Sequence, residues 1–363
     1  MSLVVFRTDA SAVIGSGHVM RCLTLASALR SQHVNATFIC RAQDNDLCDH
    51  IESQGFAVAR LSTPTSATVK TDAWIPYSDW LGAPWQVDVD QSRAAIALLG
   101  EKPDWLVVDH YGIDARWEQE LRTVATRCMV IDDLADRAHD CDLLLDQNVV
   151  ADMLTRYALR VPSPCVQLLG PEFALLQPMY AQLHACIEPR KGAVQRIFIY
   201  FGGIDSHNMT GRTLSACRLL DNPEIEIDVV ISSASPCAQT VREQAAGACN
   251  VRIHTNLATL APLMARADIA IGAGGATTWE RLCLGLPSLV ITVAENQCPV
   301  ISGLHDQNLV YWIGHHDQVD QIAIAEALKR VVSMGTLGDW SRRCLGVCDG
   351  GGVSRVIDRI VAF

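Results

Sequence analysis

A histidine follows directly on two glycines in the run Ile14-Gly15-Ser16-Gly17-His18-Val19-Met20-Arg21. Gly15 and Gly17 permit a tight turn and close approach of a ligand to the backbone. His18 then falls in the first turn of the helix that follows, where the positive helix end favours an imidazole able to accept a proton. Asp9 is a candidate to set the histidine tautomer and to touch a ligand. A histidine bonded only to loop backbone would fit the same pattern. The run is not a dinucleotide fingerprint, because Met20 stands where a third glycine would be.

Four other loops hold residues of chemical interest. Asp109-His110-Tyr111-Gly112 ends an apolar run, the place where α/β enzymes display polar groups. The simpler reading of it is a helix cap by Asp109 and a Tyr111 hydroxyl in water. Phe201-Gly202-Gly203-Ile204-Asp205 offers a Gly203 turn opening onto a helix, which fits a diphosphate site or a structural turn. In Gly272-Ala273-Gly274-Gly275-Ala276-Thr277-Thr278-Trp279-Glu280 the small residues crowd one junction. The amides of Gly275, Ala276 and Thr277 suit phosphate oxygens, and Glu280 suits sugar hydroxyls, although a carboxylate in a first turn is also ordinary capping. Asn296 and Gln297, after the run Ser288–Thr292, carry amides that could orient a water or hold a sugar substituent. Asp88-Val89-Asp90 resembles a metal-binding DxD run but lies among Pro84, Trp85 and Gln86 away from a clear strand end, Asp132-Asp133 ends a strand as a cap or structural pair, and His315-His316 has no third ligand at metal spacing, so all three read as structural.

The elements that must position these loops alternate regularly. Leu3–Arg7, Ala36–Arg41, Ala57–Leu61, Trp105–His110, Cys128–Asp133 and Leu143–Asp146 are short apolar runs of the kind buried in parallel sheets. Helical spacing is clearest over Val19–Arg30. The second half repeats the theme with strands at Arg196–Phe201, Ile225–Ile231, Asn250–His254, Asp268–Ile271 and Ser288–Thr292. The alternation predicts two Rossmann-like, doubly wound α/β domains facing an interdomain cleft. The expected limits are 1–165 for an N-terminal domain carrying His18, 190–340 for a C-terminal nucleotide-binding domain, and 341–363 for a helical tail. The proline-rich stretch Pro162–Val194 marks the boundary.

Composition narrows the function classes. The 363 residues are 49% apolar and 19% charged, which excludes a disordered chain. The net charge of −11 argues against nucleic-acid or anionic-membrane binding, while helix starts and amides still hold small anions. No apolar run approaches the ~18 residues of a membrane span. The opening Met1-Ser2-Leu3-Val4 lacks the basic flank of a signal peptide and reads as a first strand. The 14 cysteines are scattered, with no CxxC, and are expected to be free thiols of a cytoplasmic protein.

Taken in order, these loops resemble the UDP-sugar hydrolases of pseudaminic acid biosynthesis, the PseG family. The resemblance is carried by Phe6-Arg7-Thr8-Asp9, Ile14-Gly15 with Gly17-His18 and Arg21-Cys22-Leu23, Asp109-His110-Tyr111-Gly112-Ile113, and Cys141-Asp142 with Leu144-Leu145. Further along it is carried by Gly170-Pro171 with Phe173-Ala174-Leu175-Leu176, Gly202-Gly203 with Asp205, and Glu295-Asn296-Gln297. Thr63–Leu99, rich in tryptophan, and His315–Phe363 depart from the pattern. The resemblance implies a glycosyltransferase-B-like fold related to MurG-type transferases. It implies hydrolysis of UDP-2,4-diacetamido-2,4,6-trideoxy-β-L-altropyranose to free sugar and UDP, with inversion. It assigns His18 as base with Tyr111 and Asn296 as active-site partners. Gly203, Gly275, Ala276, Thr277 and Glu280 would hold UDP, with Leu257 near the uracil. The implied partner is a small-molecule UDP-sugar, without metal or other cofactor, nucleic acid or membrane. A MurG-like glycosyltransferase and a non-catalytic nucleotide-sugar-binding protein are the other readings of the same loops.

Overall fold

The computed structural model describes residues 2–64 and 76–363. Part of the tryptophan-rich segment, 65–75, lies outside the described residues. Two compact units divide the chain. The first runs through Asn148, takes in Asp152–Leu175 and is completed by Val353–Phe363; the second comprises Val149–Ala151 and Leu176–Gly352. The tail expected over 341–363 is therefore divided: helix Gly338–Leu345 lies in the second unit and helix Gly352–Ala362, from Val353 onward, in the first.

In the first unit, strands β1 (Leu3–Thr8), β2 (Asn35–Arg41), β3 (Ala57–Leu61), β4 (Trp105–Asp109), β5 (Arg127–Ile131), β6 (Leu143–Asp146) and β7 (Val166–Leu169) form one parallel sheet. Its order is β3-β2-β1-β4-β5-β6-β7. Successive side chains point to opposite faces of this sheet, as a period of two requires. Val4, Phe6, Phe38, Trp105 and Val107 face helix Gly17–Ser31 through Cys22, Leu25 and Leu29, and the last helix through Val353, Val356, Ile357 and Ile360. Val5, Ile39, Leu106, Val108 and Val130 face Val89, Ile96, Trp117 and Tyr157. The spacing of Val353, Val356, Ile357 and Ile360 is that of a helix burying one stripe. Strand β7 falls inside the stretch that its prolines marked as a boundary; those residues flank a four-residue edge strand without interrupting it.

The second unit repeats the arrangement. Strands β8 (Arg196–Tyr200), β9 (Glu226–Val230), β10 (Val251–His254), β11 (Ile269–Ala273), β12 (Ser288–Thr292) and β13 (Tyr311–His315) pair in parallel in the order β10-β9-β8-β11-β12-β13. Strand β13 lacks the continuous apolar run of its neighbours and is half-buried throughout, as an edge strand is. In each sheet the strand order reverses at one place, between β1 and β4 and between β8 and β11. Ligands of open α/β sheets sit outside the carboxyl ends of strands at that reversal. Among the described residues no helix is long and apolar enough to cross a membrane.

Asp88 and its neighbours lie on helix Trp85–Ala97, not in a metal-binding loop. The buried Asp88 carboxylate receives Arg7 Nε and Nη2 at 3.1 and 2.7 Å, Arg41 Nη2 at 2.7 Å and the Trp117 indole N–H at 2.9 Å. A second buried group joins His139 to Glu118 at 2.7 Å and to Asp132 at 3.8 Å. Burial works against the His139 imidazolium, but Glu118 and then Asp132 outweigh it and push its pKa from 6.5 up to about 9. A raised native pKa means that this contribution to stability is complete below about 6.5 and is lost as pH rises through about 9. Thermal unfolding of wild type and His139→Gln should accordingly differ most near pH 6, with the gap closing above pH 9.

Candidate functional site

The reversal in the first sheet is where His18 stands. Strand β1 pairs with β4 so that Thr8 lies beside Asp109. The loop after β1 leads into helix Gly17–Ser31 directly above the end of β4. Gly15 turns that loop with φ of +78°, and a Cβ on Gly15 or Gly17 would meet nothing within 4 Å, so the backbone there is open to a ligand. His18 Nδ1 lies 2.6 Å from Asp109 Oδ1. The ionised carboxylate is placed to accept a proton carried on Nδ1, and in that neutral tautomer Nε2 bears the lone pair. Arg21, one helical turn on, closes a fork on the same carboxylate: Nε donates to Oδ2 at 2.6 Å and Nη2 to Oδ1 at 2.7 Å. Its third nitrogen, Nη1, reaches Asp133 at 2.8 Å, and Asp133 also accepts the Tyr111 hydroxyl at 2.7 Å. Burial alone would raise the Asp109 carboxyl, but Arg21 and then His18 hold it well below the ordinary carboxylate range. Burial and the nearby Asp133 push the Tyr111 phenol well above its ordinary value, so its proton stays on the ring oxygen.

Aromatic rings enclose the histidine. Tyr111 meets the His18 ring edge-on at 4.5 Å and Trp80 does so at 6.3 Å; Trp80 in turn stacks on Tyr111 at 5.5 Å. Gly112 allows this packing, since a Cβ there would come within 2.9 Å of the Tyr77 carbonyl.

Several expectations for this loop pair change. Asp9 does not orient His18: it is fully buried, takes Arg7 Nη1 at 2.6 Å and the Arg41 amide at 2.7 Å, and lies 3.2 Å from His110 Nε2. That leaves it no open side for a ligand, and Asp109 fills the role expected of it. Asp109 is no helix cap; Asp114 caps the next helix by accepting the Arg116 amide. The Tyr111 hydroxyl is paired and not in water. Arg21 and Trp80 had no assigned role in the sequence and Asp133 reads there as structural, yet all three form the setting of His18.

The second sheet places the other candidates. Gly202 turns the chain after β8 with φ of +96°, and Gly203 follows it. The helix Met209–Arg218 beyond them is already capped: Asp205 accepts the amides of Met209 and Thr210 at 2.9 Å each, and Asn208 accepts that of Gly211 at 3.2 Å. Its amides are thus spent on the protein's own side chains, and this loop has only its glycine backbone to offer a diphosphate. The junction after β11 is different. Ala276, at the start of helix Thr277–Cys283, makes no side-chain cap, and the amides of Gly275, Ala276 and Thr277 have no protein acceptor among the described residues. Gln297 holds this loop by accepting the amides of Gly274 at 3.2 Å and Val293 at 3.0 Å through one oxygen. The buried Arg281 braces it from beneath, donating to the Ala273 carbonyl and the Thr278 and Thr277 hydroxyls. Burial lowers the Arg281 guanidinium to about 10 and raises the Glu280 carboxyl, whose Oε2 is buried without a hydrogen-bond partner. Asn296 is half-buried in a short 3-10 turn, and Leu257, 40% exposed, follows β10 at the sheet edge. Among the described residues no three His, Cys, Asp or Glu are arranged to hold a metal.

No protein-family model matches the chain. It is 26% identical over 298 residues to the UDP-2,4-diacetamido-2,4,6-trideoxy-β-L-altropyranose hydrolase of Campylobacter jejuni, covering 81% of this chain and 93% of that one. It is 23% identical over 296 residues to an uncharacterized protein of Methanocaldococcus jannaschii, covering 80% of this chain. It is 26% identical over 165 residues to the spore coat polysaccharide biosynthesis protein SpsG of Bacillus subtilis. The chain spans about half the length of these last two, 55% and 48%. Among solved structures it is similar to MurG of Acinetobacter baumannii, with a TM-score of 0.65 and 11% identity over 100% of both chains. It is also similar to CalG4, the calicheamicin glycosyltransferase, with a TM-score of 0.63 and 16% identity over 100% of this chain and 98% of that one. The two parallel-sheet domains thus have the glycosyltransferase-B fold.

Proposed function

We propose that the protein hydrolyses a UDP-linked sugar at its anomeric carbon, releasing free sugar and UDP. The observation that carries this reading is the His18–Asp109 pair, a buried carboxylate on Nδ1 with Nε2 left open as a base. Nε2 takes a proton from water, the water oxygen bonds to the anomeric carbon, and the bond to the diphosphate oxygen breaks with its electron pair leaving on UDP. Attack opposite the leaving group inverts the centre. The uncapped amides of Gly275, Ala276 and Thr277 would stabilise the departing diphosphate. The half-buried Glu280 would accept a sugar hydroxyl, and the proposed roles of Gly203, Asn296, Gln297 and Leu257 are contacts to the same substrate. The 26% identity to a UDP-sugar hydrolase over nearly its whole length supports water as the attacking group and a diacetamido-trideoxyhexose as the sugar.

The deciding experiment is proton NMR of purified protein with UDP-diacetamido sugars and no acceptor. Time-dependent release of UDP and of free sugar in the inverted anomeric form is expected. The same base could deprotonate an acceptor hydroxyl in a fold that glycosyltransferases share; strict dependence on an added acceptor would establish transfer and overturn hydrolysis. The nucleotide half is tested separately. In Gly274→Ala the new Cβ would lie 2.6 Å from Ile301 Cγ1 and 3.2 Å from Gln297 Oε1, forcing the loop outward. Its Kd for UDP by calorimetry should rise about tenfold, equivalent to about 1.4 kcal/mol.

A further inference from the structure

Resting on the reading of the protein as acting on a UDP-linked diacetamido sugar, we propose that Trp80 is the residue that selects the sugar. Its indole receives the acetamido substituents, an acetyl methyl against the ring and a carbonyl oxygen on the N–H. Trp80 belongs to Thr63–Leu99, the stretch that departs from the family pattern, so the sugar preference is set by a segment of this chain's own.

The turn that carries Trp80 is built to hold it. Tyr77 has φ of +68° and ψ of +10°, in the left-handed region, which a bulky residue occupies only where its surroundings impose it. The Tyr77 carbonyl lies so close to Gly112 that a Cβ there would come within 2.9 Å of it. The same carbonyl accepts the Trp80 amide at 3.0 Å, and the Trp80 carbonyl accepts Gln43 Nε2 at 3.0 Å. The next residue, Leu81, is buried in the apolar layer of Val5, Ile39 and Leu106. The backbone on both sides of Trp80 is thus fixed by contacts other than its ring.

The ring stands where a sugar must arrive. A water on His18 Nε2 sits about 2.8 Å away, and the carbon it attacks lies about 3–3.5 Å beyond. The Trp80 ring centre is 6.3 Å from that of the imidazole, within the same span. Of the two rings against His18, Tyr111 is 5% exposed while Trp80 is half-buried, so the accessible aromatic surface there belongs to Trp80. The indole N–H groups of Trp117, Trp312 and Trp340 each donate to a protein acceptor. That of Trp80 has none among the described residues. An indole face is electron-rich and apolar, so it attracts methyl groups in preference to hydroxyl oxygens, and its N–H needs an acceptor. Acetamido groups supply both partners. A diacetamido-trideoxyhexose carries two of them and a further methyl at C6, whereas glucose offers hydroxyls alone.

The test is calorimetric binding of UDP, a UDP-diacetamido-trideoxyhexose and UDP-glucose in the His18→Ala background, where the sugar stays attached. Adding Trp80→Leu keeps apolar volume but removes the aromatic face and the N–H. The Kd of the diacetamido ligand should rise about tenfold, while those of UDP and UDP-glucose stay within about twofold. Trp80→Phe keeps a ring and loses the N–H, for a rise of about fivefold, the scale of one hydrogen bond. A merely structural role for Trp80 would weaken all three ligands alike, and that result overturns the proposal. So does a diacetamido Kd within about twofold of the parent in Trp80→Leu, or in Trp80→Phe if Trp80→Leu does not fold. Absence of measurable binding of the diacetamido ligand overturns it as well. Binding needs no turnover, so this result is separate from the hydrolase reading, which falls if UDP release requires an acceptor.

Discussion

Replacing His18 by alanine is expected to reduce turnover by about 10²–10⁴-fold, the range that a positioned general base contributes. UDP affinity should remain within a few-fold, because the candidate diphosphate amides belong to Gly275, Ala276 and Thr277 in the other unit. The measurements are steady-state UDP release and calorimetric titration with UDP on the same preparation. The variant removes a ring that is 7% exposed and is held by one hydrogen bond and edge-on aromatic contacts. Circular dichroism should therefore show an intact fold. A rate near wild type in this variant would remove His18 as base.

Asp109→Asn should be at least as damaging, on the order of 10³–10⁴-fold in kcat, and for a different reason. The isosteric amide has one acceptor oxygen where the carboxylate has two: placed at the Oδ2 position it keeps Arg21 Nε, and its NH₂ then faces both Arg21 Nη2 and His18 Nδ1. A donor there makes Nδ1 the acceptor and moves the ring proton to Nε2. The histidine stays in place but presents a proton where the mechanism needs a lone pair. Nitrogen chemical shifts of His18 report the tautomer directly. A variant that keeps the wild-type tautomer and rate would show that Asp109 only packs against the ring.

Much of this was readable from residue order. The alternation of apolar runs and helical spacing identified most strands and the doubly wound class, because buried parallel strands need continuous apolar sequence. Two edge strands escaped: β7 among prolines, and β13, whose Tyr311, Trp312, Gly314 and His315 are half-buried and lack that signature. His18 and the glycine loops stood out by type and spacing. Their partners did not. Asp109 reaches His18 only because the sheet order sets β4 beside β1, a fact absent from any local window. Asp9 was nearer in sequence and therefore the wrong choice; the pleat turns it inward, to Arg7 and Arg41. One local signal was present for Arg21: it lies three residues after His18, hence on the same helix face, and a strand-end aspartate is the natural partner for such a pair. The self-capping of helix Met209–Arg218 was legible as well, since Asp205 and Asn208 are residues that cap helix starts.

The first unit is discontinuous in the order of synthesis. Val353, Val356, Ile357 and Ile360 fill the same apolar layer as Phe6, Leu25 and Val107, yet they are made after the whole of the second unit. The early-translated half must wait, with an unfilled groove beside β1 and β4, while the other half is made. A nascent chain stalled before Gly352, or a product clipped there by a protease, would leave that groove bare and offer it to chaperones or to aggregation. Folding of the first unit is thereby tied to a helix that is made only after the second unit is complete.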